Sequence, residues 1–265
     1  MLYILWKGIR MAKIISIVNQ KGGVGKTTTA VNLTSALGLK GKKVLLVDID
    51  PQGNSTSGYG INKRQIEISS YDVITGEKSV SEATVDTQFA NVRIVPSNMN
   101  LAGAEIEIID FEEREKILKN ALTPVRGDYD YIFLDCPPSL GLITLNALTA
   151  SDTFLVPIQC EYYAVEGLSQ LMSTVRKIKM KYNRLIELES VLLTMYDGRL
   201  KLTQQVVEEV KKFFPGKVYA TVISRSVRLS EAPSFGQPIQ YYDPRCKGAE
   251  SYNALADEFL RKQIV

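Results

Sequence analysis

The sequence predicts an α/β protein with a doubly wound, mostly parallel sheet flanked by helices. Short apolar runs rich in β-branched residues alternate along the chain with segments of helical length. The runs are almost continuously apolar, which is typical of parallel strands covered by helices on both faces. Regular alternation of strands and helices is the pattern expected of such a sheet.

The predicted elements follow in order along the chain. Strands are expected at residues 13–19, 43–50, 92–96, 129–135, 153–158, 190–195 and 218–223. Helices are expected at residues 27–40, 105–122, 140–150, 167–181, 201–214 and 249–262. The first helix ends before Gly41, a residue that is free to adopt a positive φ. Residues 54–70 are polar and contain glycine, so they are expected to form a surface loop.

The composition excludes several classes of chemistry. None of the 265 residues is histidine, which excludes hydrolases, proteases and zinc enzymes that depend on an imidazole. The three cysteines form no CxxC pair, which argues against a zinc ribbon, an iron–sulfur bridge or a disulfide framework. Catalysis must therefore rest on carboxylates, lysines, backbone amides or a hard metal ion. The net charge of +3 permits contact with nucleic acid without requiring it.

One large domain and a short N-terminal extension are expected. Residues 11–265 contain no internal repeat and no low-complexity linker, which predicts a single domain beginning at Met11. Residues 1–10, MLYILWKGIR, carry an apolar run that is too short for the core of a signal peptide. They are predicted to be an extension upstream of the natural start or a tail, with weak anchoring at a membrane interface as the alternative.

A glycine-rich loop follows the first predicted strand and opens the first predicted helix. Residues 20–28 read QKGGVGKTT, and their GKT portion is the core of a P-loop. In such a loop the backbone N–H groups surround phosphate oxygens, Lys26 reaches the β- and γ-phosphates, and the Thr27 hydroxyl ligates Mg²⁺. Gln20 replaces the first glycine of the general pattern, and Lys21 is an additional lysine. The residues predicted to bind nucleotide are Lys21, Gly22, Gly23, Val24, Gly25, Lys26, Thr27 and Thr28.

Two aspartates stand where predicted strands end beside this loop. Asp135 closes the strand YDYIFLD and is predicted to hold Mg²⁺ through water. Asp50 closes the strand KVLLVDID and is the first candidate to orient or deprotonate an attacking water in a chain without histidine. The expected cofactors are therefore ATP and Mg²⁺, with Thr27, Asp50 and Asp135 as the predicted metal site. Lys21 and Lys26 join Asp50 as the predicted catalytic residues.

Five segments resemble, in order, the ParA/Soj family of DNA-partitioning ATPases, a deviant Walker A class of P-loop NTPases that also includes MinD. They are KGGVGKTT, DIDPQGN, LDCPPSLG, PIQCEYYAVEG and VRLSEAPSFGQPI. The resemblance implies a homodimer formed around ATP, in which Lys21 reaches phosphates bound by the other subunit. It also implies that Asp50 activates water and that Gly22 lies where two loops tolerate no side chain. No arginine finger is evident, so slow intrinsic turnover is expected.

The resemblance further implies that the C-terminal third binds DNA. In the family, basic residues at the positions matching Arg225, Arg228 and Arg245 contact DNA phosphates, and Lys247 lies beside them in this sequence. Only twenty residues precede Lys21, so no helix-turn-helix module is expected there, which favours non-specific double-stranded DNA. A centromere-binding protein of the ParB/Spo0J type is the implied partner that stimulates hydrolysis. The implied location is the cytoplasm, on the nucleoid.

The residues around the adenine and two alternative functions stay open. Met195, followed by Tyr196 and Asp197, is a further candidate to line the nucleotide, whereas Ser224 departs from the proline usual in the family. A MinD-like regulator at a membrane surface would suit the apolar N-terminus. The last predicted helix lacks a basic amphipathic tail, however, so no stable membrane association is expected. A P-loop kinase or synthetase would need a small-molecule pocket that the sequence does not indicate.

Overall fold

The computed structural model describes residues 11–161 and 164–264, so the predicted extension at residues 1–10 lies outside the described residues. The described strands form one eight-stranded sheet in the order β3-β4-β2-β5-β1-β6-β7-β8. Strand β3 runs antiparallel to β4, and the other neighbouring strands are parallel. The strands are β1 Lys13–Ile17, β2 Val44–Asp48, β3 Val85–Asp86, β4 Val92–Val95, β5 Tyr131–Asp135, β6 Thr153–Gln159, β7 Glu187–Tyr196 and β8 Ile223–Ser224.

Helices cover both faces of the sheet, as the prediction of a doubly wound fold requires. The helices are α1 Lys26–Leu39, α2 Asn54–Gly58, α3 Ser70–Thr75, α4 Val80–Ala83, α5 Leu101–Glu107, α6 Ile117–Leu122, α7 Leu142–Ala150, α8 Ala164–Lys181, α9 Lys201–Phe213, α10 Val227–Glu231, α11 Ile239–Tyr242 and α12 Lys247–Lys262. Short 3₁₀ turns lie at Lys63–Gln65, Ile108–Asp110, Thr123–Val125 and Ala232–Phe235. No helix within the described ranges is long and apolar enough to cross a membrane.

The alternation of side chains along the strands divides the core into two layers. Ile14 of β1 points into a layer shared with α7, α8 and α9, whereas Ile15 points into a layer shared with α1 and α12. Successive strand residues face opposite sides of a sheet, so a continuously apolar strand serves both layers. This is why the buried strands were predictable from their composition, and the predicted doubly wound, mostly parallel sheet is confirmed.

Three predicted elements differ from the structure. The helix predicted at 105–122 is interrupted after α5, where the Asn146 side chain donates to the Arg114 carbonyl and accepts from the Leu118 N–H. The strand predicted at 218–223 is reduced to one isolated bridge and the short β8. There the Glu258 carboxylate accepts the N–H groups of residues 220 and 221, at 2.8 Å each, in place of a neighbouring strand. The loop predicted at 54–70 contains α2 and a 3₁₀ turn.

Strand register aligns the sheet edge that carries the predicted site. Asp135 at the end of β5 is level with Asp48 at the end of β2 and with Ile17 at the end of β1. The glycine-rich loop leaves β1 at this edge and enters α1. In open α/β sheets, ligands bind outside the carboxyl ends of the strands, where these residues meet.

Candidate nucleotide site and basic face

The glycine-rich loop is anchored between β1 and α1 by its neighbour β7. Gly23 and Gly25 have φ of 73° and 87°, a region that disfavours residues with a side chain. The Thr194 hydroxyl of β7 lies 2.8 Å from the Val24 carbonyl and 3.0 Å from the Ile158 carbonyl. The Thr194 hydroxyl therefore ties the loop to β6 and β7, and the loop leads into the positive N-terminal end of the α1 dipole.

Lys26 is the most enclosed cation of the loop. Its side chain is only 6% exposed, and its Nζ donates to the Lys21 carbonyl at 3.1 Å. Burial lowers the pKa of Lys26, and the nearby charges of Asp135 and Asp50 act in the opposite direction. An ammonium held in this way carries a positive charge that is poorly hydrated, which suits it to neutralise a bound phosphate.

The carboxylates of Asp48 and Asp135 are buried at neighbouring strand ends, where α2 supplies their hydrogen bonds. Asp48 Oδ2 accepts the N–H and the hydroxyl of Thr56, at 2.8 and 2.7 Å. Asp135 Oδ2 accepts the Ser55 hydroxyl at 2.7 Å. Burial raises the pKa of both carboxyls, and the charge of Asp48 raises the pKa of Asp135 further. Ser55 and Thr56 were not predictable as site residues, because polar residues after a strand also occur in ordinary loops.

Asp135 Oδ1 is buried and, within the described residues, has no hydrogen-bond partner. A buried carboxylate oxygen without a partner requires an explanation, such as a bound ion or water. The Thr27 hydroxyl lies close enough to Asp135 to lower its pKa, and the charge of Asp135 in turn raises the pKa of Lys26. The described ranges contain no cluster of three or more Cys, Asp or Glu side chains that could hold a metal alone. Mg²⁺ commonly takes one or two protein ligands and completes its shell with phosphates and water, which these residues fit.

Asp50 lies at the same edge, two residues beyond the end of β2. Its side chain is 7% exposed, and its Oδ1 accepts the Gln52 N–H at 2.9 Å. Its own N–H donates to Asp48 Oδ1 at 3.2 Å. The bond from Gln52 orients the carboxylate through Oδ1, and within the described residues Oδ2 accepts no hydrogen bond. Asp50 therefore has the position and chemistry that a water-orienting base needs.

Lys21 differs from Lys26 in exposure. Its Nζ forms an ion pair with Glu161, and both side chains are close to half exposed. Its N–H donates to the Asn19 Oδ1 at 3.0 Å, which orients the start of the loop. The extra lysine thus projects from the loop surface and does not lie beside Lys26 in the buried site. That position is accessible to a second molecule.

A cavity of about 440 Å³ adjoins the loop on the β7 side. Gly25 and Thr28 line its loop end, and Met195 and Arg225 line its far end. Met195 has a φ of 47°, an uncommon backbone conformation for a methionine. Leu229, Pro233 and Tyr252 also line the cavity and were not singled out from the sequence. The motif VRLSEAPSFGQPI contains Leu229 and Pro233 and could have indicated these two, whereas Tyr252 lies outside it on α12.

The four predicted DNA-contacting residues all lie in the C-terminal third: Arg228 on α10, Lys247 at the start of α12, and Arg225 and Arg245 between elements. Arg225, Arg245 and Lys247 are exposed. Arg228 donates to Glu231 Oε2 at 3.0 Å and lies 3.3 Å from Asp243 Oδ2, and its bond to Glu231 raises its pKa. A Cβ on Gly248 would lie 2.8 Å from Leu229 Cγ, so the start of α12 packs closely against α10.

Comparison with known proteins identifies the family. A family model described as an AAA domain matches residues 12–188. The sporulation initiation inhibitor protein Soj of Bacillus subtilis is 58% identical over 94% of this chain and 98% of its own length. The chain belongs to the ParA/Soj family. The chromosome partitioning protein ParA of Myxococcus xanthus is 48% identical over 95% of this chain and 89% of its own length.

A solved structure provides an independent comparison with this ParA/Soj family member. The structure described as cobyrinic acid a,c-diamide synthase from Mycobacterium smegmatis, with bound ADP and magnesium, is 36% identical. It superposes with a TM-score of 0.84 and covers 96% of both chains. The predicted P-loop fold and the predicted family are therefore both confirmed.

Proposed function

We propose that residues 11–265 form one ATPase domain that acts in DNA partitioning. The observation that carries the proposal is the convergence of a buried lysine and strand-end carboxylates on one glycine-rich loop. ParA of Myxococcus xanthus is named a chromosome partitioning protein, which fits this proposal. ATP would bind with its phosphates in the loop, from Lys21 to Thr28, and its base in the adjoining cavity beside Met195.

Magnesium would be held by the Thr27 hydroxyl and, through water, by Asp135, with Asp50 nearby. When bound with the nucleotide, it would supply positive charge to the phosphates. The Lys26 ammonium would add its charge to the γ-phosphate from the buried side. Asp50 would orient the attacking water and accept its proton, because its carboxylate is already fixed by the Gln52 N–H. The absence of an arginine finger from this set predicts slow turnover by the isolated protein.

The exposed lysine suggests how ATP would control assembly. Lys21 would leave Glu161 and reach phosphates held by a second copy of the chain, so that ATP would stabilise a homodimer. The dimer would present two copies of the basic face formed by Arg225, Arg228, Arg245 and Lys247. Doubling the phosphate contacts strengthens binding to any duplex and steepens its salt dependence. Hydrolysis would remove the γ-phosphate and release the DNA, and a ParB/Spo0J-type partner would accelerate this step on the nucleoid.

The decisive experiment measures retention of an Asp50→Ala variant on non-specific duplex DNA. Retention is compared in Mg-ATP and Mg-ADP over a salt series, with Asp50→Asn as the matched variant that keeps an acceptor for the Gln52 N–H. We expect both variants to be retained only with ATP and released steeply by salt. If neither variant is retained on DNA in Mg-ATP or in Mg-ADP, although each still binds the nucleotide, the partitioning function is excluded.

The wild-type chain tests the two alternative functions. A membrane regulator would instead sediment with anionic phospholipid vesicles in Mg-ATP. The name of the Mycobacterium smegmatis structure favours testing a synthetase as well. A kinase would transfer the phosphoryl group to a small-molecule acceptor, and a synthetase would release phosphate only when its small-molecule substrates are present. The proposed ATPase instead transfers the phosphoryl group to water and releases phosphate without an added acceptor.

A further inference from the structure

The segment that carries the candidate DNA-contacting residues contacts the nucleotide site at two buried points. We call the sheet edge that carries the nucleotide site the nucleotide edge. We define this arginine segment as residues 225–247, which includes α10, α11 and the 3₁₀ turn between them. Its arginines point to solvent, but Ile239 is fully buried against α1. Besides the cavity lined by Arg225, Leu229 and Pro233, the nucleotide state can reach this segment through such buried contacts, because no strand of the central sheet belongs to it.

Asn32 forms the first of these two buried contacts. It lies in α1, one turn beyond Thr28 of the glycine-rich loop, and its Nδ2 donates to the Thr28 carbonyl at 2.7 Å. Its Oδ1 accepts the Ile239 N–H at 2.7 Å, and its backbone carbonyl accepts the Gln240 side chain at 3.0 Å. One buried side chain therefore connects the first turn of α1 to the first turn of α11.

Gly60 and Gly236 form the second buried contact. Both have a positive φ, 76° and 63°, and their backbones cross without room for a side chain. A Cβ on Gly60 would lie 2.9 Å from the Gly236 carbonyl oxygen, and a Cβ on Gly236 would lie 2.5 Å from the Gly60 Cα. Gly60 follows closely on α2, whose Ser55 and Thr56 bind the carboxylates of the nucleotide edge.

We propose that Asn32, Gly60 and Gly236 are positioning residues that make the conformation of the arginine segment depend on the bound nucleotide. Helix α2 starts four residues after Asp50 and is tied to Asp48 and Asp135, so a shift of these groups on nucleotide binding moves Gly60. Closely packed crossings transmit a displacement because neither side can compress. The link to DNA rests on the proposed function, whereas the link between nucleotide and segment does not.

Hydrogen exchange tests the link without DNA. Exchange of the amides from residue 236 to 243 is measured with Mg²⁺ plus a non-hydrolysable ATP analogue and with Mg-ADP. We expect the two nucleotides to change the exchange rates by about tenfold in the wild-type chain, within the usual range of coupling between sites. Gly60→Ala and Asn32→Ala should each remove most of that difference. Equal exchange in both nucleotides for the wild-type chain, or an undiminished difference in both variants, overturns the proposal.

Gly41→Ala is the matched control for Gly60→Ala. Gly41 has the same φ of 76°, but a Cβ added to it would meet no atom within 4 Å, so the variant adds equal backbone strain without a collision. It should keep the full nucleotide dependence of exchange. The double variant Gly60→Ala/Gly236→Ala should lose little more than either single variant, because both side chains disturb one crossing. If Gly60→Ala does not fold, Asn32→Ala and Gly236→Ala provide the same test.

DNA retention separates this proposal from the proposed function. Suppose that the wild-type chain is retained on DNA in Mg-ATP. The ratio of DNA affinity in Mg-ATP to that in Mg-ADP should then be about tenfold lower in Gly60→Ala than in the wild-type chain, a typical size for allosteric coupling. Gly60→Ala should still bind ATP. Full retention of that preference in Gly60→Ala contradicts the proposal. If the wild-type chain is not retained on DNA, the partitioning function fails. The hydrogen-exchange measurement then still decides whether the two buried contacts transmit the nucleotide state to the arginine segment.

Discussion

The nucleotide edge and the arginine segment are built in opposite ways. At the nucleotide edge, strand register brings buried carboxylates together, and α2 donates hydrogen bonds to one oxygen of Asp48 and one of Asp135. Between residues 225 and 246, no helix is longer than five residues, and the arginines lie at the surface. Removing one partner of a buried charged group leaves an unsatisfied charge, whereas an exposed charge acts mainly through a field that salt screens. Single substitutions should therefore have large effects at the edge and graded effects on the segment.

The largest effect is expected for Asp50→Ala, measured as steady-state ATP hydrolysis. Loss of a positioned base typically lowers turnover by about 10²- to 10⁴-fold. The affinity for ATP should change little, because the Asp50 carboxylate is not expected to contact the adenine of ATP or the glycine-rich loop. Asp50→Asn should lose as much turnover, since it keeps the bond to Gln52 but cannot accept a proton. Normal turnover in Asp50→Asn would limit Asp50 to a structural role.

The next effect is expected for Lys26→Gln, measured as the affinity for ATP. Hydrogen bonds to charged groups contribute about 1.5 to 3 kcal/mol each, so loss of the ammonium should weaken binding by about 100-fold. The exposed residue Lys212 on α9 provides the control, and Lys212→Gln should bind ATP normally. Equal weakening in both variants would indicate a general effect of net charge.

A smaller effect is expected for Ser55→Ala, measured as the free energy of unfolding in urea. The variant removes the donor to Asp135 Oδ2 inside a fully buried site, which should cost about 1 to 3 kcal/mol. Ser230→Ala, at an exposed position on α10, should leave the stability within about 0.5 kcal/mol. A stability loss in Ser55→Ala no larger than in Ser230→Ala would show that α2 does not hold the carboxylate.

The smallest effects distinguish the arginines from one another. Arg245→Ala should weaken DNA binding in Mg-ATP and lower the slope of log affinity against log salt by about 0.9, the value for one phosphate contact. Arg228→Ala should change the slope less, because Glu231 and Asp243 already neutralise part of its charge. Equal changes of slope would mean that Arg228 leaves both carboxylates when DNA binds.

Much of the nucleotide edge could be predicted because its chemistry is contiguous in the sequence. The loop from Lys21 to Thr28 and the aspartates at the strand ends follow local patterns. A parallel sheet then brings strand ends to the same edge without further information. Two of the three failed predictions share a different cause, since distant side chains replaced local backbone bonds. Asn146 interrupts the helix predicted at 105–122, and Glu258 replaces the strand predicted at 218–223.

The fold class, the family, the glycine-rich loop and the identity of the candidate charged groups all followed from the amino-acid sequence alone. Packing in three dimensions was needed to establish that Ser55 and Thr56 hold the carboxylates, and that Lys26 is buried while Lys21 is exposed and paired with Glu161. The crossing of two distant glycine backbones and the bond from α1 to α11 also emerged only there. The cause of this division is distance along the chain. Local propensity and periodicity report on residues within a few positions of one another, whereas these contacts join residues that are brought together only by the packed sheet and its helices.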